Sequence, residues 1–155
     1  MSSELSDEFL GQIAQQVLTD TAFIFSEPAD EVIPWEGDVV KTSLEFKSPQ
    51  KGTLSVTAPR QLGIELAQNL LGMDPEEVSQ DSSTAEDALC EIVNILAGML
   101  LHRVYGEEVV CDLGIPQCQK ASAGSEEDDD RFHWSLVVDE VGRVDVEVKL
   151  EDNEV

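Results

Sequence analysis

Three polar side chains recur along one segment at the spacing of a single helix face: Asp87, Glu91 and Asn94. Because a helix advances by about 100° per residue, these side chains and Gly98 would share one narrow stripe. A carboxylate can pair with a cation, and a carboxamide can accept one hydrogen bond and donate another while staying uncharged. The segment is therefore a candidate site on the surface of a helix.

The stripe differs in composition from an ordinary solvated helix face. Such faces usually carry Lys and Arg paired with acidic residues four positions away, but no Lys or Arg lies between Thr84 and His102. Asn94 is a mediocre helix former, and Gly98 costs about 1 kcal/mol relative to Ala in a helix interior. The missing side chain at Gly98 would let another surface approach the backbone closely. Two interpretations stay open from the pattern alone: a docking face, or polar residues that simply meet water.

The opposite side of the same segment is apolar, which predicts burial against a sheet or another helix. Its members are Ala85, Leu89, Ile92, Val93, Leu96, Met99 and Leu100. Ser83 and Glu86 have the spacing of a capping box, which places the start of the helix near Thr84. Tyr105 and Gly106 indicate its end. The helix thus has one face to bury and one face to present.

Helices and strands are predicted on both sides of this helix. Apolar residues at helical spacing predict a first helix over residues 5 to about 25. Residues 39–46 and 53–58 are β-branched and partly alternating, which predicts a hairpin around the turn between them. Pro59 begins a short helix that Gly72 ends.

After Tyr105 the apolar residues recur with the two-residue period that is typical of strands. Residues 109–113 predict a strand, and Pro116 confines the residues after it to a sheet edge or a bulge. Alternation over residues 132–138 and 144–150 predicts a second hairpin. Together the elements predict an α+β fold in which a mostly antiparallel sheet packs against helices, as a single domain over residues 1–155.

Two isolated residues have side chains that could bind or react, and we interpret both as structural. Trp35 lies in an irregular connection over residues 27–38, and we interpret it as a lid over the core rather than an exposed contact. His133 lies on the face of the second hairpin opposite Phe132. A surface or sheet-packing role is favoured there over catalysis.

The three cysteines, Cys90, Cys111 and Cys118, are odd in number, which favours free thiols in a reducing compartment. A zinc site that joins Cys111 and Cys118 to His102 or His133 is the alternative. However, the two cysteines are separated by more residues than the short paired spacing of structural zinc sites. We expect no metal site of the chain's own.

The formal net charge of -24, from 33 acidic and 9 basic residues, argues against nucleic-acid and anionic-membrane partners. Part of that charge lies in residues 126–130, within a predicted acidic mobile loop at about 121–130. The loop could bind a divalent cation, but it lacks the spaced ligands of a Ca²⁺ loop. The first residues show no signal-peptide pattern, and no uninterrupted run of 18 apolar residues occurs. A cytoplasmic location is expected.

The sequence resembles the CheX branch of the CheC, CheX and FliY chemotaxis phosphatases. The active-site motif of that family reads Asp or Ser, three residues, Glu, two residues, Asn, and Asp87, Glu91 and Asn94 match it. The likeness in element order extends from about residue 5 to residue 150. CheC-like members carry two motif copies, whereas neither residues 4–25 nor residues 59–72 hold a second one here. This favours the single-site CheX type.

The resemblance implies a phosphatase of a phosphorylated CheY-type response regulator, which supplies its own acyl phosphate and bound Mg²⁺. In that scheme Asn94 orients the attacking water, Glu91 pairs with the active-site lysine of the regulator, Asp87 supports them, and Gly98 permits close approach. The chain would need no cofactor of its own. The resemblance also implies a homodimer formed through sheet edges. The rival functions are a non-catalytic adaptor for a regulator or a flagellar-switch partner, and an acidic mimic that occupies basic protein surfaces.

Overall fold

The computed structural model describes residues 5–48, 50–80, 83–121 and 131–151. These residues form one sheet of seven strands together with helices. The strands are β1 (Ser26–Pro28), β2 (Val39–Ser48), β3 (Gly52–Pro59), β4 (Asp112–Leu113), β5 (Gln117–Lys120), β6 (Arg131–Val138) and β7 (Gly142–Leu150). Neighbouring strands are antiparallel in the order β1-β6-β7-β3-β2, and both β4 and β5 pair with the outer side of β2.

Both predicted hairpins are confirmed, and they form the centre of the sheet. In the β2–β3 hairpin Ser43 lies opposite Ser55, and in the β6–β7 hairpin Val138 lies opposite Gly142. Strand β7 also pairs with β3, which joins the hairpins. Since side chains alternate between the two faces of a strand, this register sends one apolar set to a single face of the sheet.

Four helices occur among the described residues: α1 (Asp7–Ala22), α2 (Arg60–Leu71), α3 (Pro75–Gln80) and α4 (Thr84–Tyr105). The hydroxyl of Ser6 caps α1 by accepting the Phe9 amide at 3.1 Å. Helix α2 begins at Arg60, one residue later than predicted, because Pro59 has extended backbone and precedes the helix as its N-cap. As predicted, it ends at Gly72, whose φ of 65° suits a residue without a side chain.

The helices cover one face of the sheet and form a single core with it. Helix α1 packs against β6, and α4 packs against β2 and α2. The largest fully buried side chains come from both layers, and they include Leu10, Leu44, Phe46, Leu54, Leu89, Leu100 and Leu136. The predicted α+β fold is confirmed. We call the opposite side of the sheet, which the helices do not cover, the outer face.

The boundaries predicted for α4 are confirmed, but the predicted capping box is wrong. Ser83 has φ -91° and ψ -15°, which is helical rather than extended backbone, and its side chain makes no capping hydrogen bond. A capping side chain needs the extended conformation to reach the first free amides. Glu86, the other half of the predicted box, instead accepts a hydrogen bond from Arg60 at 2.8 Å.

Two further sequence predictions need correction. The strand predicted over residues 109–113 is limited to β4, because Val109 is held in a turn in which its amide donates to Gly106 O. Trp35 is not a lid over the core. Its ring lies over the outer face, 4.2 Å from the guanidinium carbon of Arg143. The prediction that Pro116 precedes an edge strand is confirmed by β5.

The remaining sequence interpretations concern thiols, charge and membrane insertion. The three cysteines are free, as expected, although each is partly exposed rather than fully buried. The predicted acidic loop falls largely on residues 122–130, which lie outside the described residues. Helix α4 is long and apolar enough to cross a membrane by length and composition alone, but half of its most apolar 18-residue window is buried. Core helices of soluble proteins pass the same test.

Candidate active site on helix α4

The predicted stripe lies on the solvent side of α4. Asp87, Glu91 and Asn94 are exposed, whereas the residues between them that face the sheet, such as Ile92 and Val93, are at most 3% exposed. The apolar side of the helix fixes its rotation, because turning it would expose that buried surface to water. The sequence therefore placed all three polar residues on the correct face.

The polar side chains of the stripe have no partners among the residues that the structure describes. Across the described ranges, the side chains of Asp87, Glu91 and Asn94 take part in no hydrogen bond or ion pair, although Glu86, beside them, is paired. Exposed groups of this kind are hydrated and remain available to a binding partner. The arrangement can present one carboxamide and two carboxylates to another molecule.

Gly98 lies on the same face, one turn beyond Asn94. A Cβ atom built on it would meet nothing within 4 Å, so internal packing does not require glycine at this position. Gly63 in α2 is different, because its added Cβ would overlap the carbonyl oxygen of Ala85. The helix therefore bears the cost of Gly98 without a packing reason, and its bare backbone is open to an approaching surface.

Contacts at both ends hold α4 in place. Near its start, Gly63 allows α2 to approach Ala85, and Arg60 Nε lies 2.8 Å from Glu86 Oε1. At its end, the hydroxyl of Tyr105 donates to the side-chain oxygen of Gln50 at 2.8 Å. A helix held at both ends presents its side chains in a fixed geometry, which is what recognition of a reacting group requires.

Cys90 lies next to Glu91 but is not suited to act as a nucleophile. Burial raises the pKa of the Cys90 thiol, and its electrostatic interactions with Cys118, Asp87 and Glu86 raise it further. A thiol needs a lowered pKa to react as thiolate near neutral pH. Among the described residues no three His, Cys, Asp or Glu side chains come together as candidate metal ligands. The chemistry of the site therefore rests on the amide and the carboxylates.

A cavity of about 280 Å³ flanks the first turns of α4. It is lined by Asp38, Val39, Val40, Arg60, Glu86, Cys118, Gln119 and Lys120. Sequence reasoning did not identify Arg60 or Lys120 as neighbours of the site. No local pattern could have done so, because Arg60 is 26 residues away from its partner Glu86.

Comparison with known proteins gives a match to one protein family. A family model described as chemotaxis phosphatase CheX matches residues 40–134, which include the whole of α2 and α4 and all four predicted site residues. A comparison with curated protein sequences finds no match.

Solved structures share the fold over nearly the entire chain. The CheX of Desulfovibrio desulfuricans has a TM-score of 0.69 at 20% identity, with 93% of this chain and 97% of that chain covered. The CheX of Vibrio vulnificus has a TM-score of 0.68 at 19% identity, with 92% and 93% covered. The CheX in a CheX–CheY–BeF₃–Mg²⁺ complex of Borrelia burgdorferi has a TM-score of 0.65 at 17% identity, with 94% and 97% covered.

These findings agree with the resemblance inferred from the motif. At such low identities the structural likeness shows the fold, and the family match, which spans more than half of the chain, shows the family. With its helices on one face of an antiparallel sheet and its Asp-Glu-Asn stripe on the surface of α4, this chain belongs to the chemotaxis phosphatase CheX family.

Proposed function

We propose that this protein dephosphorylates a CheY-type response regulator that carries a phosphorylated aspartate. The observation that carries the proposal is the position of Glu91 and Asn94, which are exposed on a fixed helix of a chemotaxis phosphatase family member. The relative from Borrelia burgdorferi in a CheX–CheY–BeF₃–Mg²⁺ complex supports a CheY-type partner. The regulator rather than this chain would bind the Mg²⁺.

In the proposed reaction the regulator supplies the phosphoryl group and its charge clamp, and this protein supplies orientation. Asn94 enters the phosphorylation site, where its carboxamide accepts a hydrogen bond from a water and donates one to a phosphoryl oxygen. The water is thereby held in line with phosphorus. Fixing a reactant in this way removes part of the entropic barrier to attack.

Glu91 and Asp87 have supporting roles in this mechanism. Glu91 pairs with a cation of the regulator, by family resemblance its active-site lysine, and so fixes the register of docking. Asp87 lies one turn earlier and makes a polar contact that is less important than the other two. Gly98 lets the regulator approach the helix backbone closely, because nothing covers it.

The overall charge affects association more than the chemical step. A formal net charge of -24 does not attract a partner whose phosphorylated pocket is itself acidic. At physiological ionic strength, however, exposed charges more than about 8 Å apart are largely screened, so the charges beside the docking helix dominate the encounter. We expect slow association that depends on salt.

The homodimer remains part of this proposal. Within the described sheet, β1 pairs only with β6 at one edge, while β4 and β5 pair only with β2 at the other. Such edges can pair with a second copy. Sedimentation equilibrium at several protein concentrations would report the mass, and a strictly monomeric protein would contradict the dimer. Cytoplasmic location follows from the same proposal, since response regulators act there.

Decay of a radiolabelled phosphorylated regulator tests the function. Added protein should accelerate phosphate release beyond the regulator's own rate, and the Asn94→Ala variant should not. Binding without acceleration would instead favour the adaptor. Loss of all partner binding at high salt would favour the acidic mimic. The regulators of the source organism are the substrates to test.

A further inference from the structure

A residue of another helix contacts the first turn of α4. Ser83 provides no side-chain cap, while Arg60, the first residue of α2, places its guanidinium on the first turn of α4. Arg60 Nε donates to Glu86 Oε1 at 2.8 Å. The Arg60 amide in turn donates to Asp38 O at 2.7 Å, which fixes the base of the side chain. The guanidinium is therefore held beside the docking face.

The ion pair is neither fully exposed nor fully buried. The side chains of Arg60 and Glu86 are 28% and 29% exposed, so water screens their interaction only in part. The second carboxylate oxygen of Glu86 is buried and has no hydrogen-bond partner among the described residues. Arg60 is thus the principal described group that compensates the charge of Glu86.

Glu86 lies close enough to the stripe for its charge to matter there. It directly precedes Asp87 on α4 and lies one helical turn before Cys90, the neighbour of Glu91. There it adds to the increase in the thiol pKa caused by burial, by Cys118 and by Asp87. A partner that brings a phosphoryl group brings negative charge to this surface. An uncompensated carboxylate at the edge of a binding surface slows association through like-charge repulsion.

We propose that Arg60 is a positioning residue for docking, because it holds Glu86 in an ion pair and keeps an uncompensated carboxylate off the surface that receives the phosphorylated regulator. This inference rests on the proposed function. Arg60 acts through Glu86 and does not touch the reacting atoms. Its contribution therefore appears in KM, while kcat depends on Asn94.

The test measures initial rates of dephosphorylation against the concentration of phosphorylated regulator, after subtraction of the regulator's own decay. Arg60→Gln should raise KM about fivefold at about 0.1 M salt and leave kcat within about twofold, as expected for a charge at the rim of an interface. At about 1 M salt, where the Debye length is about 3 Å, the difference should nearly disappear.

Four further variants separate charge from structure. Glu86→Gln should lower KM, and adding it to Arg60→Gln should return KM to within about twofold of wild type. Arg60→Lys should behave like wild type, since it keeps the cation. Arg103→Gln is the matched control, because it removes the same charge at the far end of α4, where Arg103 bonds to Gln16. It should change KM less than twofold.

The outcomes distinguish this inference from the proposed function. If wild type accelerates decay, Asn94→Ala does not, and Arg60→Gln has a wild-type KM, only the inference is overturned. A loss of kcat without salt dependence, or a double variant that is not restored, overturns it as well, since both indicate a merely structural role. If Arg60→Gln does not fold, an unchanged or higher KM in Glu86→Gln overturns the inference. Failure of wild type to hydrolyse any regulator overturns the proposed function first.

Discussion

Two surfaces of this protein carry exposed or partly exposed carboxylates, and they differ in whether those carboxylates are paired. On the outer face of the sheet, Glu147 Oε1 lies 3.3 Å from Lys41 Nζ, and Glu147 Oε2 lies 2.5 Å from Arg131 Nη1. Asp145 accepts hydrogen bonds from Ser135 at 2.8 Å and from Arg143 at 2.7 Å. These carboxylates are paired within the molecule.

The stripe of α4 presents carboxylates that have no partners in the part of the chain that the structure describes. The side chains of Asp87, Glu91 and Asn94 make no hydrogen bonds or ion pairs within the described segments, and no cation lies on their face of the helix before His102. Pairing on the outer face stabilises the fold, because partly buried charges are costly unless compensated. Unpaired groups on α4 add little to stability and are available for a partner. Substitutions of these three stripe side chains should therefore change activity, whereas substitutions of the paired carboxylates on the outer face should change stability.

Asn94→Ala should lower the rate of regulator dephosphorylation about 100-fold or more, because the attacking water loses its orientation. This corresponds to about 2.7 kcal/mol of transition-state free energy. The free energy of unfolding should stay the same or rise slightly, since Ala is the better helix former. Phosphate-release kinetics and denaturant unfolding measure the two quantities. A normal rate in the folded variant would remove Asn94 from the mechanism.

Asp145→Asn should have the opposite signature, with a loss of about 2 kcal/mol in unfolding free energy and little change in activity. Hydrogen bonds from His133, Arg143 and Ser135 overcome the effect of burial and lower the pKa of Asp145 from 3.8 to about 2. A depressed carboxyl pKa stabilises the fold above the unfolded-state pKa. Glu45→Gln, an exposed acid of the same sheet, is the control and should change stability by less than about 0.5 kcal/mol.

The lowered pKa of Asp145 also predicts that the free energy of unfolding depends on pH. The stabilisation from Asp145 should be complete above about pH 4 and should be lost as the pH falls toward about 2, where the folded carboxyl becomes protonated. Unfolding free energies of wild type and Asp145→Asn should therefore converge over this range. Curves that stay parallel down to pH 2 would mean that Asp145 is not the titrating group.

Glu91→Gln should raise KM for the phosphorylated regulator about tenfold with a smaller effect on kcat, because one charged contact of the docking surface is lost. Stability should not change, since Glu91 has no partner among the described residues to lose. Asp87→Asn is the matched variant and should raise KM only about twofold. Equal effects of the two substitutions would contradict the ranking of these carboxylates.

Gly98→Ala gives the smallest expected effect, a gain of up to about 1 kcal/mol in unfolding free energy, because the added Cβ meets open space and Ala favours the helix. Dephosphorylation should change little with Ala. Gly98→Leu should also fold, but its larger side chain should obstruct docking and raise KM. A fully active Gly98→Leu would show that the regulator does not approach this part of the helix.

Much of the fold was predictable because its signals are local. The 3.6-residue period placed the stripe and the buried face of α4 on the correct sides, and Tyr105 and Gly106 marked its end. Alternation with period two predicted the β6–β7 hairpin and placed His133 on the face opposite Phe132. Each of these features depends on residues within a few positions of one another.

The errors arose where the partner of a residue lies far away in the chain. The spacing of Ser83 and Glu86 suggested a local cap, but Glu86 pairs with Arg60, which no helix-start rule considers. Trp35 has the large, mostly apolar side chain of a typical core residue, yet it stacks on Arg143 over the outer face. The strand expected at residues 109–113 is an exception with a local cause, since the turn in which the Val109 amide donates to Gly106 O leaves only β4 to pair with β2.

The resemblance of the Asp-Glu-Asn motif and of the element order to CheX proteins pointed to the family, and the 3.6-residue period identified the helix that carries the motif and the side of it that faces outward. Which carboxylates are paired with a cation depends on how the chain folds. Asp145 and Glu147 have the same chemistry in the sequence as Asp87 and Glu91, but antiparallel pairing brings Arg131 and Lys41 to Glu147, whereas no cation of the described segments pairs with the α4 stripe. Charge pairing depends on distances in space, which only the packed chain defines.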